Sequence, residues 1–373
     1  MTSLDFEAGA HDLLPGPAPI RLIDPTGHRV ADPALPVPPP DVLRALYRRM
    51  VIGRRFDRQA TALTRQGRLA VYPSSHGQEA CQVGAVLALG EADWLFPTYR
   101  DTMALVTRDI DAVDALTMLR GARHCGYDPY AHRTAPQVTP LATAAPHAAG
   151  LADAARRRGD HVAALAFLGD GATSEGDAHE AFNFAAVFGA PVVFCVQNNG
   201  WAISVPLAKQ TKAPTLAHKA VGYGMRGYLV DGNDAAAVHA VIVRALADAR
   251  AGRGPALVEC VTYRLEAHTN ADDDRRYRDD ATVAAWRERD PIARLERLLL
   301  DEGTLDASGV AEIRDEAEAF AARTREALRD DPVVDPAELF AHVYATPTPL
   351  LREEAAALAE ELGEELSDGV NGE

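Results

Sequence analysis

Two apolar stretches that each end in a polar turn constrain the fold of this chain most strongly. The run VAALAFL at 162–168 ends in Gly-Asp-Gly, and the run PVVFCVQ at 191–197 ends in Asn-Asn-Gly. Between them, residues 177–188 place Phe182 and Ala185 on one helical face. Strands that are apolar along their whole length and joined by a helix are typical of a parallel sheet buried on both faces. The segment therefore predicts a strand–helix–strand unit.

The same alternation continues towards the C-terminus. Residues 227–232 and 255–263 have the composition of two further strands, and the alanine-rich stretch 234–250 between them has the composition of a helix. After Ala281 the pattern is wholly helical. The fold class that this order predicts is α/β, with a doubly wound, mostly parallel sheet and a helical C-terminal region.

The two ends of the chain differ from this central pattern. Residues 1–40 contain nine prolines, which predict an extended arm outside the core. We expect one large domain over residues 41–345. Residues 346–373 are expected to form an acidic helical tail, because from Arg352 onwards there are eight acids and one base.

Composition excludes several classes of function. The net charge of −16 argues against nucleic acid or an anionic membrane surface as partner. No apolar run approaches the roughly 20 residues of a membrane span, and the first residues, MTSLDFEAGAHD, do not have the pattern of a signal peptide. The four cysteines are widely spaced and form no C-x-x-C pair. A soluble protein of the reducing cytoplasm is expected.

The turns after the two central strands carry the chemistry. Asp170 follows the first strand and Asn199 the second, so both side chains are expected at the same edge of a parallel sheet, where ligands bind. A carboxylate, an amide oxygen and the backbone carbonyl of Trp201 form an oxygen ligand set that suits Mg²⁺. The sequence therefore predicts a magnesium site here.

The glycines around Asp170 indicate a phosphate beside that cation. Gly169 and Gly171 allow a close approach of the backbone, and the amides of Gly171 and Ala172 can donate to phosphate oxygens. A dinucleotide-binding Rossmann site is the competing interpretation. It fits poorly, because the glycine spacing is G-x-G-x-x-x-x-G and no acid closes the second strand.

Five segments together resemble a known family. They are FPTYRD (96–101), TPLAT (139–143), GDGATSEGDAHEAFNFAAV (169–187), QNNGWAIS (197–204) and TYRLEAHTNADDD (262–274). In this order they are similar to the alpha subunits of the E1 component of 2-oxo acid dehydrogenase complexes, which have the thiamine diphosphate-binding fold. The resemblance runs from about Pro38 to about Tyr344. The segments VDGND (230–234) and DPIARLERLLL (290–300) look particularly like the branched-chain members.

The resemblance implies a role for individual residues around the cofactor. Asp170, Asn199 and the carbonyl of Trp201 would hold Mg²⁺ on the diphosphate of thiamine diphosphate. Tyr99 and Arg100 match the pair that grips the phosphates, a task that suits the planar guanidinium.

Further positions follow from the same resemblance. Leu141 matches a residue that packs beneath the cofactor, and His268 matches the active-site histidine. Tyr277 and Arg278 match the pair that closes the loop of His268. His124 is a candidate for the substrate channel, with an ordinary loop histidine equally compatible with the sequence.

Three positions depart from the mammalian members of that family. Thr269 stands where they carry a phosphorylated serine, which puts control by a kinase in doubt. Gln197 replaces an arginine that contacts phosphate, and Ala144 replaces a glutamine that helps to bind a structural potassium ion.

The resemblance implies the reaction and the partners. The expected activity is thiamine diphosphate-dependent oxidative decarboxylation of a 2-oxo acid and reductive acylation of the lipoyl group of an acyltransferase component. A branched-chain substrate such as 3-methyl-2-oxobutanoate is favoured, with pyruvate and then acetoin dehydrogenase alpha subunits as alternatives, and an inactive scaffold paralogue after them. A separate beta subunit would supply the activating glutamate in an α₂β₂ heterotetramer.

Overall fold

The computed structural model describes residues 13–121, 123–330 and 335–370, the last seven of these as backbone only. The first twelve residues, on which the expectation about a signal peptide rests, lie outside this part. Two compact units are present, Met1–Arg329 and Asp330–Glu373. Within the described residues, no helix has both the length and the apolar character that crossing a membrane requires.

A five-stranded parallel sheet forms the centre of the first unit. Its strands stand in the order β1 (Trp94–Phe96), β2 (Ala164–Gly169), β3 (Val192–Asn198), β7 (Ala256–Val261) and β6 (Arg226–Asp231). The predicted α/β class with a mostly parallel sheet is confirmed. The three-residue strand β1 was not predicted, because so short a run has no periodicity of its own. A separate two-stranded ribbon, β4 (Trp201–Ala202) and β5 (Val205–Pro206), follows β3 directly.

Helices cover both faces of the sheet, and their bounds follow in chain order. They are α1 (Pro40–Arg65), α2 (Glu79–Val86), α3 (Thr102–Thr107), α4 (Ala112–Arg120), α5 (Pro129–His132), α6 (Ala144–Arg158), α7 (Gly176–Phe188), α8 (Ala235–Arg250), α9 (Asp280–Arg287), α10 (Pro291–Asp301) and α11 (Ala307–Ala327). The predicted helices between the central strands, α7 and α8, differ from their expected bounds by one residue. The helical character after Ala281 is also confirmed.

Alternate residues of the central strands enter two different cores. In β2, Leu165 and Phe167 belong to the core beneath α2 and α8, whereas Ala166 and Leu168 belong to the core beneath α6 and α7. All four side chains are fully buried. This two-sided burial explains why the strand sequence is apolar at every position rather than at every second one.

The proline-rich segment differs from its prediction in one respect. In its described part, from residue 13 onwards, Leu22 and Ile23 are buried in the first core rather than outside it. Their backbone amides both donate to a carboxylate oxygen of Asp234 at 2.7 Å, and Ile20 pairs with Val230 of β6 as a parallel bridge. Proline prevents a regular hydrogen-bond ladder, but it does not prevent the intervening apolar side chains from packing.

The compact first unit ends at Arg329. Helix α11 packs along α1, and Leu328, one residue beyond α11, is still fully buried. The second unit contains α12 (Glu338–Ala341) and α13 (Pro349–Val370), and α13 carries the acidic tail.

Candidate functional site

A cavity of about 400 Å³ opens where β2 and β3 end, a volume within the usual range for a small-molecule site. Its walls bring together ten of the residues predicted from the sequence. They are Tyr99, Arg100, Leu141, Gly169, Asp170, Gly171, Ala172, Asn199, Trp201 and His268. They come from five separate segments of the chain.

Asp170 and Asn199 each follow directly on the last residue of two neighbouring strands, because β2 ends at Gly169, which pairs with Gln197, and β3 ends one residue later at Asn198. Asp170 is 1% exposed, and Gln210 Nε2 donates to its carboxylate at 3.0 Å. Burial raises the pKa of Asp170, and the bond from Gln210 opposes that shift. Asn199 Oδ1 accepts from the amide of Trp201 at 3.1 Å, so these two predicted ligands adjoin each other, and both line the same cavity as Asp170.

The oxygen atoms at this point fit a hard cation. Besides Asp170 and Asn199, Gln210 places its buried Oε1 here without a hydrogen-bond partner. Within residues 13–121, 123–330 and 335–370, no group of three His, Cys, Asp or Glu side chains is arranged to hold a metal. A metal at this place would therefore depend on a mixed set of one carboxylate, amide oxygens and a carbonyl, which suits Mg²⁺.

The glycines beside Asp170 have different surroundings. A Cβ atom on Gly169 would meet nothing within 4 Å, so this backbone faces open space in the cavity wall. A Cβ atom on Gly171 would lie 2.6 Å from the Cβ of Ala202 in β4. The absence of a side chain at Gly171 thus lets the ribbon with Trp201 pack against the turn that carries Asp170.

Arg100 and His268 form the wall that carries the positive charge. The Arg100 guanidinium is buried, donates to the carbonyl of Ser74 at 2.9 Å and lies 3.0 Å from His268 Nδ1. Because an arginine only donates, Nδ1 is the acceptor and the neutral ring carries its proton on Nε2. Burial, together with Arg100 and Arg264, lowers the pKa of His268 to about 4. The ring is neutral at pH 7 and stands edge-on to Tyr99.

Arg264 is a member of this cluster that the sequence did not identify. It is 1% exposed, donates to the carbonyl of Ile203 and to the hydroxyl of Tyr277, both at 2.8 Å, and approaches His268 Nδ1 at 3.4 Å. Burial, followed by the neighbouring Arg100, lowers its pKa to about 10. The available signal was an arginine inside the apolar run VTYRL (261–265), where a charged side chain is unexpected.

Three predicted site residues lie away from the cavity wall. Tyr277 accepts from Arg264 and donates to Asp272, which in turn accepts from the amide of His268, so it supports the loop from behind. Arg278 donates to the carbonyl of Arg264 and pairs with Asp274.

His124 is exposed and does not border this cavity in the part of the chain that is described. Its place along the substrate channel stays a prediction.

The three departures from the mammalian pattern all line the cavity: Ala144 at the start of α6, Gln197 at the end of β3, and Thr269 after His268. Gln197 is buried and hydrogen-bonded on both sides, to Asp101 and to Gln78. It takes part in a polar network and does not merely fill the space of an arginine.

Comparison with known proteins identifies the class. The family model "Dehydrogenase E1 component" matches residues 47–336. A 3-methyl-2-oxobutanoate dehydrogenase subunit alpha of Mycobacterium tuberculosis is 46% identical over 345 residues, which cover 92% of this chain and 94% of that protein. A pyruvate dehydrogenase E1 component subunit alpha of Staphylococcus aureus is 37% identical over 302 residues, 80% of this chain and 81% of that protein.

The chain belongs to the dehydrogenase E1 component family. It is the alpha subunit of a 2-oxo acid dehydrogenase, and the resemblance seen in the sequence is confirmed. The family is generally thiamine diphosphate-dependent, and its alpha subunits generally work with a beta subunit and an acyltransferase component.

Proposed function

We propose that this chain binds the diphosphate of thiamine diphosphate through Mg²⁺ and acts in the oxidative decarboxylation of a branched-chain 2-oxo acid such as 3-methyl-2-oxobutanoate. The observation that carries the proposal is the convergence of Asp170, Asn199 and the Trp201 backbone at the ends of adjacent strands, facing a cavity that also holds Arg100 and His268. The reaction would take place in the cytoplasm, within an α₂β₂ heterotetramer that acylates the lipoyl group of its acyltransferase.

The substrate is inferred from the relatives. The relative named for 3-methyl-2-oxobutanoate shares 46% of its aligned residues with this chain, against 37% for the one named for pyruvate, and it also aligns over more of the chain. Pyruvate is therefore the second candidate and acetoin the third.

The residues of the cavity divide the binding task between cation and phosphate. Asp170, Asn199 Oδ1 and the Trp201 carbonyl would hold Mg²⁺. The amides of Gly171 and Ala172, the Arg100 guanidinium and the Tyr99 hydroxyl would donate to phosphate oxygens, with Leu141 packed beneath the cofactor. When bound, thiamine diphosphate supplies the nucleophilic carbon and the electron sink that loss of CO₂ requires.

At neutral pH, His268 is a neutral ring that can donate a hydrogen bond from Nε2. Its Nδ1 accepts from Arg100, so Nε2–H is the group available to a phosphate or to an oxygen of the substrate. The hydroxyl of Tyr277 accepts a hydrogen bond from the Arg264 guanidinium, and Arg278 donates to the backbone carbonyl of Arg264. We infer that both are positioning residues for His268.

The described residues around the cavity do not include an acid that is free to activate the cofactor. Among the described residues that line the cavity, Asp170 is the single carboxylate, and it belongs to the proposed metal site. Leu141 and Ile203, at the rim, are 42% and 55% exposed. We propose that the beta subunit covers this rim and brings the glutamate that activates the cofactor.

Calorimetric titration of Mg²⁺ and thiamine diphosphate into the complex with the beta subunit tests the site. Asp170→Ala and Asn199→Ala are each expected to weaken binding at least about 10-fold, the scale on which even the supporting shell of a metal acts. Asp160→Ala, an exposed acid, is the matched control and should leave binding unchanged. Unchanged affinity in the first two variants would show that the site assignment is wrong.

The substrate proposal has its own experiment. The complex is assayed for reduction of lipoyl acceptor with 3-methyl-2-oxobutanoate, pyruvate and acetoin at matched concentrations. The highest kcat/KM is expected for 3-methyl-2-oxobutanoate, and a higher value for pyruvate or acetoin would refute the branched-chain proposal while leaving the cofactor site intact.

A further inference from the structure

A chain of buried amides leads from the proposed metal ligand Asn199 into the protein. Asn199 Nδ2 donates to Gln78 Oε1 at 2.9 Å, Gln78 Nε2 donates to Gln197 Oε1 at 2.7 Å, and Gln197 Nε2 donates to Asp101 Oδ1 at 2.7 Å. None of these four side chains belongs to a residue more than 5% exposed. We call Asn199, Gln78, Gln197 and Asp101 the amide relay.

The direction of every bond in the amide relay follows from its last member. An amide can present either its oxygen or its NH₂ group, whereas an ionised carboxylate can only accept. Asp101 therefore requires the NH₂ group of Gln197, which leaves the oxygen of Gln197 for Gln78. The same logic at Gln78 leaves its oxygen for the NH₂ group of Asn199. The remaining polar atom of Asn199, its Oδ1, is then on the side of Trp201, whose amide donates to it at the cavity wall.

A second anchor holds Gln197 in the same orientation. Gln82 Oε1 accepts from the amide of Ala104 at 3.2 Å, so the NH₂ group of Gln82 points the other way. That group lies 3.2 Å from the carbonyl of Arg100 and 3.3 Å from Gln197 Oε1. The carboxylate of Asp101 and the side-chain amide of Gln82, neither of which can reverse, thus both require the same orientation of Gln197.

We propose that Asp101, acting through Gln197 and Gln78, is a positioning residue that turns the oxygen of Asn199 towards Mg²⁺. This rests on the metal site proposed above and adds the reason why Asn199 presents oxygen rather than NH₂ to a cation. Burial raises the pKa of Asp101, and donors from Thr98 and Gln197 oppose that shift.

Replacing Asp101 with asparagine tests the proposal with almost no change in shape. Thr98 donates to Oδ2 of Asp101 through both its backbone amide and its hydroxyl, at 2.7 Å each, so the oxygen of the new asparagine is held there. Its NH₂ group then faces the NH₂ group of Gln197. The amide relay must reverse or break, and the oxygen of Asn199 is then held in place by the bond from the Trp201 amide without the support of the relay.

The expected result of Asp101→Asn is a 10- to 100-fold weaker binding of Mg²⁺ in the presence of saturating thiamine diphosphate, roughly the range found for residues that orient metal ligands. The measurement is calorimetric titration of Mg²⁺ into the complex with the beta subunit, so it does not depend on turnover. Asp234→Asn is the matched control, because Asp234 is equally buried but caps α8 and is not part of the amide relay. Its Mg²⁺ affinity should equal that of the wild type.

A second substitution restores the direction of the hydrogen bonds between Gln78 and Asn199 without restoring Asp101. In the double variant Asp101→Asn with Gln197→Glu, the carboxylate stands one step nearer the site. It accepts from the new asparagine, from Gln82 and from Gln78, so Gln78 again offers its oxygen to Asn199. We expect Mg²⁺ affinity within about 3-fold of the wild type, an interaction that a double-mutant cycle measures. A purely structural role of Asp101 would not produce this rescue.

The outcomes separate the two proposals. If Asn199→Ala weakens Mg²⁺ binding but Asp101→Asn does not, the amide relay is refuted and the metal site stands. If the double variant is as weak as Asp101→Asn, the relay is also refuted, because position 101 then acts through its own charge. If Asn199→Ala has no effect, the metal site itself is wrong. Should Asp101→Asn fail to fold, Gln78→Leu interrupts the relay instead, and unchanged Mg²⁺ affinity in that variant overturns the proposal.

Discussion

The contact between Gly171 and Ala202 gives a prediction whose size can be worked out from the structure. In Gly171→Ala the new methyl group would lie 2.6 Å from the Cβ of Ala202, and 3.5 Å from its Cα. Carbon atoms in contact stay roughly 3.5–4.0 Å apart, so the two segments must separate by roughly 1 Å. Since Ala202 has no flexible side chain, the backbone of β4 has to move.

We expect a free energy of unfolding lower by about 1–3 kcal/mol, the usual cost of overpacking. The same movement displaces the Trp201 carbonyl, so Mg²⁺ binding should weaken as well. Both quantities are measured on one preparation, by urea unfolding and by calorimetric titration in the presence of thiamine diphosphate.

Two further variants make this prediction specific. Ala202→Gly removes the opposing Cβ atom, so the double variant Gly171→Ala with Ala202→Gly should regain most of the lost stability, apart from the cost of a new glycine. Gly169→Ala, whose added methyl group meets no atom within 4 Å, should unfold like the wild type. Equal stability of Gly171→Ala and Gly169→Ala, or no recovery in the double variant, would refute the steric explanation.

Three other predictions concern charge and packing. The pKa of His268 is lowered in the folded state from 6.5 to about 4, so its contribution to stability is present above pH 6.5 and is lost as the pH falls towards 4. Measured by urea unfolding, the variant His268→Asn should therefore lose less stability than the wild type over that interval. Equal losses would contradict this. Arg264→Gln removes one buried positive charge beside the cavity, and calorimetry should show thiamine diphosphate binding weakened on the order of 10-fold with a shallower dependence on salt, an expectation that an unchanged salt dependence would refute. Phe56→Ala removes a fully buried ring that packs edge-on against Phe320 of α11, and urea unfolding should show a loss of about 3–5 kcal/mol, whereas a loss under 1 kcal/mol would mean that α1 and α11 are not held by this contact.

The central strands and the two turns that follow them could be predicted from the sequence. The reason is local. A strand buried on both faces must be apolar throughout, and a glycine next to an acid or an amide, directly after such an apolar run, is typical of the turn that ends the strand. Because parallel strands end at a common edge, Asp170 and Asn199 could be brought together without any knowledge of their surroundings. The family resemblance then extended the prediction to Arg100 and His268, which come from distant segments.

The sequence determined less at positions whose role depends on a distant partner. Gln78 and Gln197 are 119 residues apart, and nothing in the local pattern of either one indicates the other. Arg264 directly follows the stretch 255–263 that was predicted as a strand, and Gln210 lies in a segment for which no element was predicted. The places of Tyr277 and Arg278 behind the loop, and of His124 at the exposed surface, were likewise decided by packing.

The division between sequence and tertiary structure therefore has a physical basis. Solvent exposure repeats with the geometry of a strand or helix, so the sequence alone determined the alternating elements, the edge at which they end and the oxygen-bearing turns found there. Which atom each buried polar group presents is set by donors and acceptors that only the folded chain brings within reach. The tertiary structure thus decided that Asn199 faces the cavity with its oxygen, through the amide relay that ends at Asp101.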